Sequence, residues 1–156
     1  MHKTTGSPHS GFTLWEVMIV LLITAVLTRL GSQSLSQWQQ RQQVKASATD
    51  LAYFLKRLQQ QASWYHTTVS LSGTSSPIGV VAQSEGAITG VQRWQWRPLT
   101  VDIKVLNIVG EPRFFGKHGT AWPGSIELGN KAVRWRVIIS AQGRIRYCQQ
   151  GDSGCR

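Results

Sequence analysis

Apolar positions are concentrated in one block near the start of the chain. A polar segment comes first, and residues 17–27 are then apolar except for Thr24. From Phe12 to Leu30 the chain would form about 19 residues of helix, roughly 28 Å long, which is just enough to cross the hydrocarbon core of a bilayer. We therefore expect residues 12–30 to be a transmembrane helical segment.

A helical pattern continues beyond this block. Apolar residues recur three or four positions apart, which is typical of one buried helical face. The recurring positions are Leu35, Trp38, Val44, Ala48, Leu51, Leu55, Leu58 and Ala62. The pattern predicts one helix from Phe12 to about His66, bent or loosened near Gly31, with residues 31–66 packing on a globular domain through the stripe of leucines.

After this helix the pattern becomes that of short strands separated by Gly and Pro. A β pattern begins at Thr67–Leu71, and five further candidate strands follow. These are Ile78–Gln83, Val101–Val109, Ser125–Leu128, Ala132–Ser140 and Arg144–Cys148. A long helix followed by antiparallel strands predicts an α+β fold, with a β-rich domain at residues 67–156.

Composition adds a strong positive charge and an argument against catalysis. The chain has 17 Lys and Arg against 7 Asp and Glu, a net charge of +10. Such an excess of positive charge is expected in proteins that bind nucleic acid, lipid headgroups or an acidic protein, and it does not distinguish among these partners. It also occurs in proteins in which the charge serves only solubility. The acidic residues are scattered, His66 and His118 have no companions at metal-ligand spacing, and no nucleophile or phosphate-loop motif occurs. We therefore expect no enzyme activity, cofactor, metal or small-molecule substrate.

The two cysteines, Cys148 and Cys155, lie close together near the C-terminus. Their spacing excludes the CxxC pattern of redox motifs and zinc sites. In an oxidising compartment the pair would form a disulfide that holds the C-terminal tail, whereas in the cytosol both would be free thiols.

The residues just before the apolar block form a recognisable motif. Gly11-Phe12-Thr13-Leu14 is followed, after one residue, by Glu16. This resembles the cleavage and methylation motif of type IV pilins and type II secretion pseudopilins. The resemblance implies cleavage between Gly11 and Phe12 by a prepilin peptidase and N-methylation of Phe12. It also implies an assembly role for Glu16, whose carboxylate is costly near the start of a membrane helix unless it is paired.

The same resemblance implies where each part of the chain lies. Residues 1–11 would be a cytoplasmic leader peptide, and the protein would sit in the bacterial inner membrane as a single-pass protein with a periplasmic C-terminal domain. Other pilins or pseudopilins would be its partners in a pilus-like filament. The pilin fold, a helical spine packed on a sheet, agrees with the α+β prediction.

The second half resembles one branch of this family, the minor pseudopilin H and fimbrial protein T group, which includes the prepilin peptidase-dependent minor pilins. The resemblance is carried by Phe114-Phe115-Gly116, Thr120-Ala121-Trp122-Pro123-Gly124, Gly143-Arg144-Ile145-Arg146 and the two cysteines. It is weak between about residues 72 and 111. It does not separate a type IV pilus subunit from a type II secretion subunit.

Apolar residues and arginine alternate strictly from Val133 to Val137, and this pattern predicts a hairpin that carries arginines on one face. Val133, Trp135, Val137 and Ile139 are apolar, whereas Arg134 and Arg136 lie between them. Residues 141–143 fit a three-residue loop with Gly at the position that needs positive φ. That register places Ser140 opposite Arg144 and Ile138 opposite Arg146, so all four arginines share one face. Ile145 and Tyr147 then fall on the core side.

Four arginines on one face suggest an anion site, and the alternative is a solvated basic face. In the fimbrial protein T group a similar Gly-Arg-x-Arg motif is associated with DNA capture, which implies that Arg144 and Arg146 bind DNA. The predicted register adds Arg134 and Arg136 to these candidate DNA-binding residues. Lys131 and Arg156 would extend the patch. The segment Arg93–Arg97 mixes aromatic and basic residues, but we expect an edge strand or loop with a half-buried Trp.

Three functions remain open at this point. The first is a minor pilin or pseudopilin that helps to assemble, prime or cap a filament. The second is a DNA-binding pilin at the tip of such a filament, acting in DNA uptake. The third is a membrane-anchored basic protein in which the N-terminal motif is coincidental.

Overall fold

The structure, a computed structural model, describes residues 13–75, 78–85 and 90–155. Gly11, Phe12 and Arg156, which carry predicted roles, lie outside these ranges. The chain divides into two compact units, Met1–Trp38 and Gln39–Arg156.

One long helix, α1, runs from Leu14 to Tyr65. At its start the carbonyl oxygen of Thr13 accepts hydrogen bonds from the N–H groups of Glu16 and Val17, at 3.0 and 3.3 Å. At its end His66 adopts φ 50°, and the N–H of Thr67 donates to the carbonyl oxygen of Ala62 at 3.1 Å. This is the Schellman arrangement, in which a left-handed residue terminates a helix. The prediction of one long helix that ends near His66 is confirmed.

Within the first unit, the described residues of α1 expose their large apolar side chains. These are Leu14, Trp15, Val17, Met18, Ile19, Val20, Leu21, Leu22, Ile23, Val26, Leu27, Leu35 and Trp38. The hydroxyl of Thr24 donates to the carbonyl oxygen of Val20 at 2.9 Å, so this polar side chain is satisfied by the helix itself. Among the described residues, no helix meets the length and hydropathy expected of a membrane-crossing segment.

In the described residues of the second unit, nine antiparallel strands form two sheets. The five-stranded sheet has the order β3-β2-β1-β5-β6, and the four-stranded sheet has the order β4-β7-β8-β9. The strands are β1 Thr68–Ser75, β2 Ile78–Glu85, β3 Gln92–Trp96, β4 Lys104–Val109, β5 Arg113–Phe115, β6 Thr120–Trp122, β7 Gly124–Gly129, β8 Arg134–Ile139 and β9 Ile145–Gln149. The α+β prediction is confirmed.

The predicted strands are present, with changes at their ends. The strand expected from Val101 begins at Lys104, because a turn closed by a 3.1 Å hydrogen bond from the Ile103 N–H to the Thr100 carbonyl oxygen precedes it. Strands β5 and β6 have only three residues each, too few to show an alternating pattern, and were not predicted.

The core of the second unit lies between the helix and the two sheets. Helical residues with exposures of 0 or 1% form its spine, namely Val44, Ala48, Leu51, Leu55, Leu58 and Ala62. Phe114 from the five-stranded sheet and Ile126, Leu128 and Val137 from the four-stranded sheet complete it. The predicted leucine stripe is therefore core, and burial of these side chains, at about 25 cal/mol per Å² of apolar surface, holds the sheets on the helix.

Candidate functional site: the arginine hairpin

The arginine hairpin, defined here as β8, residues 140–144 and β9, has the predicted register. Ile138 lies opposite Arg146 and Val137 lies opposite Tyr147. The N–H of Ser140 donates to the carbonyl oxygen of Arg144 at 3.0 Å, which closes the loop. Gly143 adopts φ +75°, the left-handed conformation that glycine reaches at little cost. The alternating pattern and the loop glycine therefore predicted this hairpin correctly.

Because side chains alternate along a strand, this register puts the four arginines on one face. Val137 and Ile139 are buried on the opposite, core-facing side. Arg134, Arg144 and Arg146 are exposed, and Lys131 in the preceding loop is exposed as well.

Arg136 differs from the other three arginines because it is paired. Its Nε donates to Oε1 of Glu127 at 3.0 Å, and its Nη2 contacts the same oxygen. Glu127 lies directly opposite on β7, and its side chain is only 14% exposed. The ion pair neutralises one of the four predicted cations, so Arg136 contributes to the structure of the sheet. The role of Glu127 could not be predicted from the sequence, because it depends on the β7–β8 register.

Contacts from two elements, α1 and β6, fix the tip of the hairpin. The side-chain amide of Gln59 on α1 donates to the carbonyl oxygen of Gly143 at 3.0 Å. The N–H of Ala121 on β6 donates to the carbonyl oxygen of Ala141 at 3.0 Å. These bonds hold the loop that precedes Arg144 and Arg146 against the helix and the five-stranded sheet.

The C-terminal tail returns to the hairpin through a disulfide. Cys148 on β9 is bonded to Cys155, which lies in a short 3₁₀ turn, Ser153–Cys155, and is buried. The N–H of Gln150 also donates to the carbonyl oxygen of Arg134 at 3.0 Å. The predicted disulfide is present, and it keeps the tail beside the arginine face.

The aromatic and basic segment 93–97 lies elsewhere and has a structural role. Strand β3 is an edge strand of the five-stranded sheet, as predicted. Trp94 is half-buried, and Trp96 is buried with its indole N–H donating to Oδ2 of Asp50 at 2.7 Å. Trp94 packs against the hydrophobic core, so both tryptophans contribute to the fold of the second unit.

The arrangement can bind an anion through exposed guanidinium groups. Arg144 and Arg146 form no ion pair within the described part of the chain, so both keep their full charge for a partner. Across the described ranges, no group of three or more His, Cys, Asp or Glu side chains is placed to hold a metal ion. Glu16 lies in the first turn of α1, in the other unit.

Comparison with known proteins identifies the fold. No family model and no curated protein matches the sequence. Two structures of the minor pseudopilin EpsH from the type II secretion system of Vibrio cholerae match the structure, each with a TM-score of 0.57. The first structure is 18% identical in sequence, and the match covers 70% of this chain and 99% of the EpsH chain. The second is 16% identical, and the match covers 72% of this chain and 97% of the EpsH chain. The chain therefore has the pilin-like fold of a minor pseudopilin, as the sequence predicted.

Proposed function

We propose that this protein is a minor subunit of a pilus-like filament, either a type IV pilus or the pseudopilus of a type II secretion system. The observation that carries the proposal is the likeness to minor pseudopilin structures over nearly their whole length, in a chain that also has the Gly11-Phe12-Thr13-Leu14 motif. The role is structural: assembly, priming or capping of the filament.

The proposal gives the N-terminal residues specific roles. A prepilin peptidase cuts between Gly11 and Phe12 and methylates the new amine of Phe12. Residues 12–30 anchor the protein in the inner membrane, and the second unit lies in the periplasm. The exposed apolar side chains of α1 up to Leu27 support this anchoring, because such a surface is costly in water. Glu16 pairs with a terminal amine on a neighbouring subunit, which removes two uncompensated charges from the membrane.

A filament-incorporation assay tests this function. Full-length, epitope-tagged protein would be expressed in a bacterium that assembles surface filaments, and sheared filaments would be probed for the tag. We expect the wild type and Glu16→Asp in the sheared fraction, and Glu16→Leu only in the membrane fraction. Absence of the wild-type protein from filaments that contain the host pilins would contradict the proposal.

A second candidate function, DNA binding by the filament, is favoured by the arginine hairpin. Arg144 and Arg146 are exposed on one face of the hairpin, whereas Arg136 is already paired with Glu127. Guanidinium groups bind phosphate oxygens through paired hydrogen bonds. Such contacts recognise the phosphate backbone irrespective of sequence.

Mobility-shift assays on the full-length protein in nonionic detergent test this second function. The double variant Arg144→Ala/Arg146→Ala should weaken binding at least about tenfold and lower the salt dependence by about two counterions. The matched control is Arg41→Ala/Lys45→Ala, which removes the same charge from exposed positions on α1. Equal binding by the wild type and the hairpin variant would rule out the role of these two arginines.

A further inference from the structure

A shallow groove of about 140 Å³ lies between α1 and the hairpin strand β9. We name it the tyrosine groove. Its lining residues are Thr49, Ala52, Tyr53 and Lys56 from the helix and Ile145 and Tyr147 from β9. Strand β9 also carries Arg146, so the groove and the arginine face lie on two sides of the same strand.

Two tyrosine rings flank this groove and remain accessible. Tyr53 is 63% exposed and Tyr147 is 42% exposed. Trp135 supports the ring of Tyr147, with ring centroids 6.1 Å apart and an interplanar angle of 40°. A supported ring that is open to solvent is suited to stacking on another flat group, since its position is already fixed before the ligand arrives.

The positive charge of Lys56 and the backbone edge of β9 also contribute to the site. Lys56 lines the groove and is exposed, and no Asp or Glu is among the described residues that line it. Strand β9 is the edge strand of its sheet, so one of its backbone edges has no partner strand. Unpaired backbone N–H and C=O groups on an edge can hydrogen-bond to an incoming ligand.

We propose that the tyrosine groove binds an unstacked base of single-stranded DNA whose phosphates contact Arg144 and Arg146. The inference rests on the DNA-binding function proposed above and names its substrate. Aromatic rings beside a positively charged track are the general means by which proteins hold single strands. A duplex keeps its bases stacked inside and can use only the arginines, so the groove confers preference for single strands.

Fluorescence anisotropy with a labelled oligo(dT) and a duplex of equal length tests the proposal on the full-length protein in nonionic detergent. Tyr53→Leu should weaken single-strand binding about 5- to 10-fold and duplex binding less than about 2-fold, since stacking on one aromatic is lost. Tyr53→Phe should keep wild-type affinity because it keeps the ring. The matched control is Tyr65→Leu, which removes a 57% exposed tyrosine of the same helix from outside the groove.

The outcomes separate this inference from the function on which it rests. If the wild type binds neither DNA, both are wrong. If both DNAs bind through Arg144 and Arg146 but Tyr53→Leu has no effect, or has the same effect on both, only the groove proposal is wrong. Tyr147→Leu is a second variant in which single-strand and duplex affinities are compared. Circular dichroism is used to confirm that this variant folds, because Tyr147 packs on Trp135.

Discussion

The side-chain amide of Gln59, on the helix, donates a 3.0 Å hydrogen bond to the carbonyl oxygen of Gly143, at the tip of the arginine hairpin. The contact joins residues 84 positions apart. It connects the part of the chain that forms the spine of the second unit with the part that carries the exposed arginines. The position of Arg144 and Arg146 therefore depends on how closely the loop approaches the helix.

Replacing Gly143 with Ala should destabilise the protein by about 2–4 kcal/mol. A Cβ at this position would lie 2.4 Å from Nε2 of Gln59 and 2.7 Å from the carbonyl oxygen of Gly119, in addition to the cost of positive φ. Gly119→Ala is the matched control, since Gly119 has φ +63° but no atom within 4 Å of its Cβ position. It should cost only about 1–2 kcal/mol. Urea denaturation measures both, and equal losses would refute the packing argument.

The Arg136–Glu127 pair should show a coupling energy of about 1.5–3 kcal/mol in a double-mutant cycle with Ala. Both side chains are partly buried, at 31% and 14% exposure, so their charged hydrogen bonds are less screened by solvent than those of an exposed pair. The comparison pair is Arg113–Glu111, at 48% and 77% exposure, which should couple by less than about 1 kcal/mol. A weaker coupling at Arg136–Glu127 than at the exposed pair would contradict this account.

Features set by local pattern could be predicted from the sequence. The hairpin register followed from the alternation of apolar residues and arginine from Val133 to Val137 and from Gly at residue 143, because a one-residue slip would bury arginine. The helix end near His66 followed from the change in periodicity. The likeness to a minor pseudopilin fold agrees with the prediction made from both ends of the chain.

Features that depend on distant pairing could not be predicted. Glu127 is one of several scattered acids in the sequence, and it becomes the partner of Arg136 only through the β7–β8 register. The burial of Trp96 likewise depends on its reaching Asp50 on the helix. The tyrosine groove joins residues of α1 and β9 that no spacing rule relates.

His66→Gly should stabilise the protein by about 0.5–1 kcal/mol. His66 ends α1 with φ 50°, and a glycine at this position avoids the steric cost of the left-handed conformation. Ser63→Gly, within the last turns of the same helix, should instead destabilise it by about 0.5 kcal/mol. Thermal melts followed by circular dichroism give both values, and a loss of stability in His66→Gly would argue against the helix termination described.

Reduction of the Cys148–Cys155 disulfide should destabilise the second unit by about 2–3 kcal/mol, as expected for closing a short loop. The melting temperature should therefore fall when reductant is added. A Cys148→Ser/Cys155→Ser variant should melt at the lower temperature with or without reductant. If thiol titration confirms reduction and the melting temperature of the wild type is unchanged, the disulfide does not stabilise the fold.

Mass spectrometry of the intact protein measures directly whether the chain is cut after Gly11 and methylated at Phe12. The full-length chain would be purified from a host with an active prepilin peptidase, with the host pilins as the positive control for processing. We expect a chain that starts at Phe12 and carries one added methyl group, and a Gly11→Leu variant that retains its leader. A wild-type protein that still begins with residues 1–11, in a host whose own pilins are cut, would contradict the account.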